Sequence, residues 1–108
     1  MKSIIWFMVA ALAEIAGCYS FWLWVRLNRS PVWLVLGVPA LLLFAWALTK
    51  VDASHAGRAY AAYGAIYIVG AILWGWVVEK SPPDRWDVAG GLICLVGSAL
   101  ILWAPRSA

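Results

Sequence analysis

The chain has 108 residues, of which 66% are hydrophobic and only 12% are charged. Soluble domains carry about 25% charged residues, so this composition indicates an integral membrane protein. Eight basic and five acidic residues give a net charge of +3, which is too sparse and dispersed for a nucleic-acid-binding surface. The single histidine and the two cysteines follow no metal-binding spacing. No nucleophile–base set stands out either, so we predict no cofactor, no metal and no enzymatic activity.

Four apolar segments follow one another along the chain, at about residues 4–25, 32–49, 59–78 and 88–104. Each has about 17 to 22 residues, the length that a helix needs to cross the hydrocarbon layer of a membrane. Lipid offers the backbone no hydrogen bonds, so each span must be a helix. Tryptophans fall near the segment ends, as in an interfacial aromatic belt. We therefore predict an all-α integral membrane protein, with residues 1–108 forming a single four-helix transmembrane domain.

The first segment carries Glu14 near its centre, and no other acidic residue lies inside any of the four segments. A charged group at the bilayer centre costs roughly 2.5–3.5 kcal/mol on insertion scales, so such residues tend to face a bundle interior or a wet cavity and to serve function. Small residues within about one turn of Glu14 would let a ligand or another helix approach closely. These residues are Ala10, Ala11, Ala13, Gly17 and Cys18. We predict that Glu14 is a functional-site residue; the alternative is a protonated structural acid hydrogen-bonded to a neighbouring helix.

The connectors contain typical helix start and stop signals. Ser30-Pro31 favours the start of the second helix, and Pro39 should bend that helix locally. Two prolines end the third segment, after which Asp84 or Asp87 could cap the fourth helix.

The third segment carries an aromatic series. Tyr60, Tyr63, Tyr67 and Trp74 are spaced by 3, 4 and 7 residues, which places them on one face of a helix. Aromatic faces beside a carboxylate suit a cation with apolar substituents. Taken alone, such a series is more often a packing surface.

The fourth segment contains Gly90, Cys94 and Gly97 at helical spacing. Together they predict a groove of small residues that admits another helix, either within the chain or from a second subunit. Because Cys18 and Cys94 both lie in apolar runs, we expect each cysteine to be a small buried hydrophobic residue.

Several of these strings resemble a known superfamily. Four spans in about 110 residues, "AEIAG" in the first helix, "YAAY" in the third and "GGLICLVG" in the fourth resemble the small multidrug resistance superfamily. The string "GRAYAAYGAIY" resembles its YnfA-like branch. The resemblance covers essentially the whole chain.

The resemblance implies an antiparallel homodimer that exports small, often cationic compounds in exchange for protons. On that resemblance, Glu14 matches the shared carboxylate that binds proton and substrate. Tyr60 and Tyr63 match the aromatic pair of the third helix. Gly90 and Gly97 match the glycines through which the fourth helices dimerise.

Two departures from the drug exporters leave the substrate class open. The glycines that follow the aromatic pair are only partly present, as Gly64 with Tyr67 beyond it, and Arg58 is foreign to the drug exporters. Arg58 could reach the vestibule of the Glu14 site and disfavour simple cations. Alternatively, it anchors the helix at the membrane surface or pairs with Asp52.

We therefore expect a proton-coupled exporter in the bacterial inner membrane, with a proton- and substrate-binding set that comprises Glu14, Arg58, Tyr60, Tyr63 and Tyr67. Its partners would be a second copy of itself, the lipid bilayer and a small ionic or polar-aromatic substrate, and not nucleic acid. The rival hypothesis is a non-transporting membrane subunit that packs against a larger partner, with Glu14 as an interhelical hydrogen-bonding group.

Basic residues are balanced between the two sides of the predicted four-span topology. One side holds Lys2, Lys50, Arg58 and Arg106, and the other holds Arg26, Arg29, Lys80 and Arg85. Because the side richer in Lys and Arg stays in the cytoplasm, an even balance predicts insertion in both orientations. Such dual topology could supply both halves of an antiparallel dimer.

Overall fold

The computed structural model describes residues 2–53 and 55–105, and that part of the chain is helical without a strand. Helix α1 spans Lys2–Val25, a short 3-10 turn at Pro31–Trp33 leads into α2 at Leu34–Leu48, and α3 and α4 span Ala56–Val77 and Arg85–Trp103. The predicted boundaries agree with these to within a few residues. Of the residues assigned to the predicted domain, 1, 54 and 106–108 lie outside the described part.

Within the described residues, four stretches are long and apolar enough to cross a membrane. They are Ser3–Val25, Pro31–Leu48, Ala56–Val77 and Arg85–Trp103. Large apolar side chains on every helix are exposed, for example Leu36 at 70% and Ile93 at 72%. Such surfaces suit lipid rather than water. The prediction of an all-α, multi-pass membrane protein is therefore confirmed.

The helices form two compact units, Met1–Val51 with α1 and α2, and Asp52–Ala108 with α3 and α4. Each unit is a helical hairpin.

In the first unit, α1 and α2 approach closely through glycines. An ideal Cβ atom on Gly17 would lie 2.6 Å from Leu41 Cγ and 2.9 Å from the Gly37 carbonyl oxygen. The Ser20 hydroxyl, which is buried, donates to the Gly17 carbonyl at 2.6 Å. Small residues allow two backbones to approach in this way when the surroundings are as apolar as the side chains.

In the second unit, the buried Ser98 hydroxyl of α4 donates a hydrogen bond to the Ala62 carbonyl of α3. Gly91, also buried, lies at the same contact, where an added Cβ would meet Ile72 Cδ1 at 3.7 Å. This hydrogen bond between helices fixes how α3 and α4 pair.

The helix starts follow the sequence signals. Ser30 caps the 3-10 turn by accepting from the Val32 N–H at 3.2 Å, with Pro31 at its first position. Asp84 and Asp87 form a reciprocal capping box at the start of α4, with backbone-to-carboxylate distances of 2.9 and 3.1 Å. Both predicted starts are therefore confirmed.

Candidate functional site

Glu14 lies at the middle of α1, on the side of the helix that the protein buries. With 3.6 residues per turn, Phe7 and Ala10 lie above it on the same side, and both are fully buried. One turn further on, Cys18 is exposed. Glu14 itself is half-buried. On this side of α1 it therefore lies between two fully buried residues and an exposed one.

The glycine and serine contacts between α1 and α2 lie to one side of Glu14. The α1–α2 contact runs through Gly17 and Ser20. Gly17 lies about 60° round the helix from Glu14, and Ser20 lies farther round on the same side. The carboxylate thus flanks the α1–α2 contact. Ala10 and Ala11, on either side of this position, are both buried, so the protein packs closely against their small side chains.

The aromatic residues of α3 lie on one side of that helix but differ in exposure. Tyr63 is 6% exposed and Tyr60 is 57% exposed, while Tyr67 and Trp74 are half-buried. The structure brings Tyr63 and Tyr67 together, with ring centroids 6.1 Å apart and planes tilted by 45°. This face lies well away from Ala62, through which α3 contacts α4. On this face Tyr63 is covered by the protein, whereas Tyr60 is exposed.

Arg58 lies in the first turn of α3 and is exposed. It precedes Tyr60 by two residues, so the two side chains leave the helix about 200° apart. Any influence of Arg58 on the aromatic face would therefore act through its electric field rather than by contact.

The predicted small-residue groove of α4 is open. An ideal Cβ on Gly90 or on Gly97 would have no heavy atom within 4 Å. Gly90 is exposed, whereas Cys94 and Gly97 are half-buried. The contact with α3 uses Gly91 and Ser98 instead. This surface can therefore receive another helix without disturbing the second unit.

The expectation of two buried cysteines is wrong, because Cys18 is exposed and Cys94 is only half-buried. In a membrane span, apolar neighbours in the sequence do not distinguish a residue that faces lipid from one that faces protein.

Three further residues hold the hairpins together and were not predicted from the sequence: Ser20, Gly37 and Ser98. A Ser or Gly within an apolar span is the signal that could have found them. Within residues 2–53 and 55–105, no group of His, Cys, Asp and Glu side chains could hold a metal ion.

Comparison with known proteins gives a consistent result. The profile of the family described as "Uncharacterised BCR, YnfA/UPF0060 family" matches residues 1–107. A UPF0060 membrane protein of Zymomonas mobilis is 59% identical over 101 residues, which cover 94% of each chain. A UPF0060 membrane protein of Methylocella silvestris is 55% identical over 108 residues, the full length of both chains. No solved structure shows a significant match.

Proposed function

Because this chain belongs to the YnfA/UPF0060 family of membrane proteins, a branch similar to the small multidrug resistance proteins, we propose that it is a proton-coupled exporter of small molecules. One observation carries the proposal: Glu14 lies mid-span and half-buried, next to the buried residues Ala10, Ala11 and Ala13. A carboxylate is costly at that depth. It is most simply explained by a group that must bind and release a proton there.

The proposed mechanism is competition for Glu14. The ionised carboxylate holds a substrate, and a proton arriving from the opposite side of the membrane displaces it. The occupied protein then exposes the site to the other side.

In this proposal the functional unit is an antiparallel homodimer. The open surface at Gly90 and Gly97 supports it, because a second α4 helix could pack there closely. Four short helices are also too few to enclose a sizeable polar cavity, so a second copy would be needed to complete the transport path.

We assign substrate contacts to Tyr60, Tyr63 and Tyr67. This assignment is supported by the position of the three tyrosines on one face of α3 and by the contact between the Tyr63 and Tyr67 rings. Aromatic faces attract cations through the ring quadrupole, and the phenolic hydroxyls can hydrogen-bond polar groups. A small ionic or polar-aromatic solute fits this chemistry.

Transport by the purified protein in proteoliposomes tests the proposal. An imposed pH gradient should drive uptake of at least one compound from a panel of cations, anions and neutral solutes. Glu14→Gln keeps the side-chain shape but removes its titration, so pH-driven uptake should be lost. Glu14→Asp is the matched control and should retain part of the activity. Uptake that remains pH-driven in Glu14→Gln would contradict the mechanism.

The rival function is a non-transporting subunit that packs against a larger membrane protein. The open α4 surface at Gly90 and Gly97 would equally receive a helix of such a partner. In that case Glu14 would be an interhelical hydrogen-bonding group. Absence of transport across the whole panel, together with loss of helix packing in Glu14→Leu, which cannot form a hydrogen bond, would favour this function.

A further inference from the structure

The two hairpins end their first helices with the same backbone motif. The Arg29 N–H donates to the Leu23 carbonyl at 2.8 Å, across Asn28 with a φ of 55°. The Ser81 N–H donates to the Gly75 carbonyl, also at 2.8 Å. Each bond closes a loop of seven residues whose sixth residue is left-handed, which ends the helix.

The second motif lies 52 positions after the first, and the left-handed residue there is Lys80, with a φ of 63°. Trp22 and Trp24 precede the first motif at the positions that Trp74 and Trp76 occupy before the second. The two turns therefore share one framework, and their side chains can be compared position by position.

The charges on that common framework differ. In the α1–α2 turn, Arg26 and Arg29 occupy positions that are Val78 and Ser81 in the α3–α4 turn. From Ile15 to Val51 the sequence contains no acidic residue. The α1–α2 turn is thus a basic surface with nothing of opposite charge nearby in sequence.

The α3–α4 turn also carries basic residues, Lys80 and Arg85, but acids accompany them. They are Glu79, Asp84 and Asp87. Its positive charge is therefore compensated locally, whereas that of the α1–α2 turn is not.

Arg26 is held in a defined position. Its guanidinium carbon lies 4.5 Å from the centroid of the Trp22 ring. Stacking covers one face of the guanidinium and leaves its N–H edge available for an anion. Arg29 follows three residues later in the sequence and is exposed. The Ser30 hydroxyl accepts from the Val32 N–H and retains its own proton to donate.

These donors lie between the end of α1 and the start of α2. In a membrane-spanning protein this is the depth of the lipid headgroups. Trp22, Trp24 and Trp33 are each 41–44% exposed around it, as expected for rings at headgroup depth. Guanidinium groups match the geometry of a phosphate and bind it with paired hydrogen bonds. We propose that residues 26–30 bind the phosphodiester of an anionic phospholipid, with Arg26 and Arg29 as the principal ligands. This inference does not depend on transport.

Lipid binding by the full chain tests the proposal. Native mass spectrometry from detergent would compare titrations with phosphatidylglycerol and with phosphatidylcholine of the same acyl chains. The test variant is Arg26→Gln with Arg29→Gln. The α3–α4 turn provides the matched control, Lys80→Gln with Arg85→Gln, which removes the same number of charges from the same framework.

We expect the test variant to lose about tenfold or more of its affinity for phosphatidylglycerol. The control variant should change by less than about twofold, because its basic residues are already compensated by acids. Arg29→Gln alone preserves the Arg26–Trp22 stacking and should lose part of the affinity, which guards against a folding defect in the double variant. Equal losses in test and control variants, or equal binding of both lipids by the unmodified protein, would overturn the proposal.

Discussion

The Ser20 hydroxyl of α1 occupies the space that a side chain on Gly37 of α2 would need. An ideal Cβ on Gly37 would overlap the Ser20 hydroxyl oxygen and lie 2.6 Å from Ser20 Cβ. The Ser20 hydroxyl in turn donates to the Gly17 carbonyl. The α1–α2 hairpin therefore depends on two glycines and a serine in direct contact.

Gly37→Ala should destabilise the first hairpin. Overpacking of a tight contact costs about 1–3 kcal/mol, and Ser20 Cβ cannot rotate away. Gly64→Ala is the matched control, because an added Cβ there meets no heavy atom within 4 Å. Unfolding in a titration with sodium dodecyl sulfate, followed by circular dichroism, would measure both. If the Gly37→Ala protein is as stable as the Gly64→Ala protein, α1 and α2 can move apart without a loss of stability.

Ser98→Ala should weaken the second hairpin modestly. The lost hydrogen bond to the Ala62 carbonyl joins two helices, and such bonds in membranes are worth about 0.6 kcal/mol on average and up to about 1.7. Thr49→Ala is the control, since the Thr49 hydroxyl donates to Trp46 within its own helix end and is exposed. The same detergent titration applies. If both changes lower the stability by the same amount, the Ser98 hydrogen bond does not stabilise the pairing of α3 and α4.

The fold could be predicted from the sequence because its signals are local. Segment length gives the four spans, and Ser30 and Asp84 mark helix starts through their own hydrogen bonds. Which side of each helix packs could not be predicted in the same way. A span is apolar all round, so burial leaves no periodic pattern to read. Cys18 and Gly17 are neighbours of similar character, yet Gly17 is buried against α2 and Cys18 is exposed.

The site was predictable only in part for the same reason. Glu14 stands out because the free-energy cost of a carboxylate in lipid does not depend on which side of the helix packs against protein. By contrast, the different exposures of Tyr60 and Tyr63 depend on tertiary packing, which their spacing alone does not contain.

Gly97→Leu should prevent dimerisation and leave membrane insertion intact. The added side chain would fill the open surface of α4 and hold a second backbone away. Val96→Leu, at a neighbouring position that is 63% exposed, is the control for added bulk on α4. Chemical cross-linking in native membranes would measure the dimer. A dimer that persists in Gly97→Leu would place the subunit contact elsewhere.

Equal numbers of Lys and Arg on the two sides predict that the chain inserts in both orientations. Of these residues, Arg106 lies outside the described part of the structure. Reporters fused after Ala108, one active only inside the cell and one only outside, should both give signal. The combined change Lys2→Gln and Lys50→Gln should then shift the signal towards the outside reporter, because it removes positive charge from the side that carries the termini. A single orientation of the unmodified protein would contradict dual topology.

Arg58→Ala should change the order in which substrates are preferred more than it changes insertion or dimerisation. Arg58 is exposed at the start of α3 and leaves the helix on a different side from Tyr60, so we expect it to act by its field. At physiological ionic strength such a field extends about 8 Å and repels cations that approach this end of the helix. Removing the charge should therefore raise transport of cations relative to anions and zwitterions.

Arg58→Lys is the matched control, since it keeps the charge and should keep the preference. Transport of a cation and an anion, each at low and high salt and at equal protein levels, measures the effect. High salt should reduce the difference in cation-over-anion preference between the unmodified protein and Arg58→Ala, because salt screens the electric field of Arg58. Identical substrate rankings in all three proteins would make Arg58 an interfacial anchor, with its stem in the apolar layer and its charge at the surface.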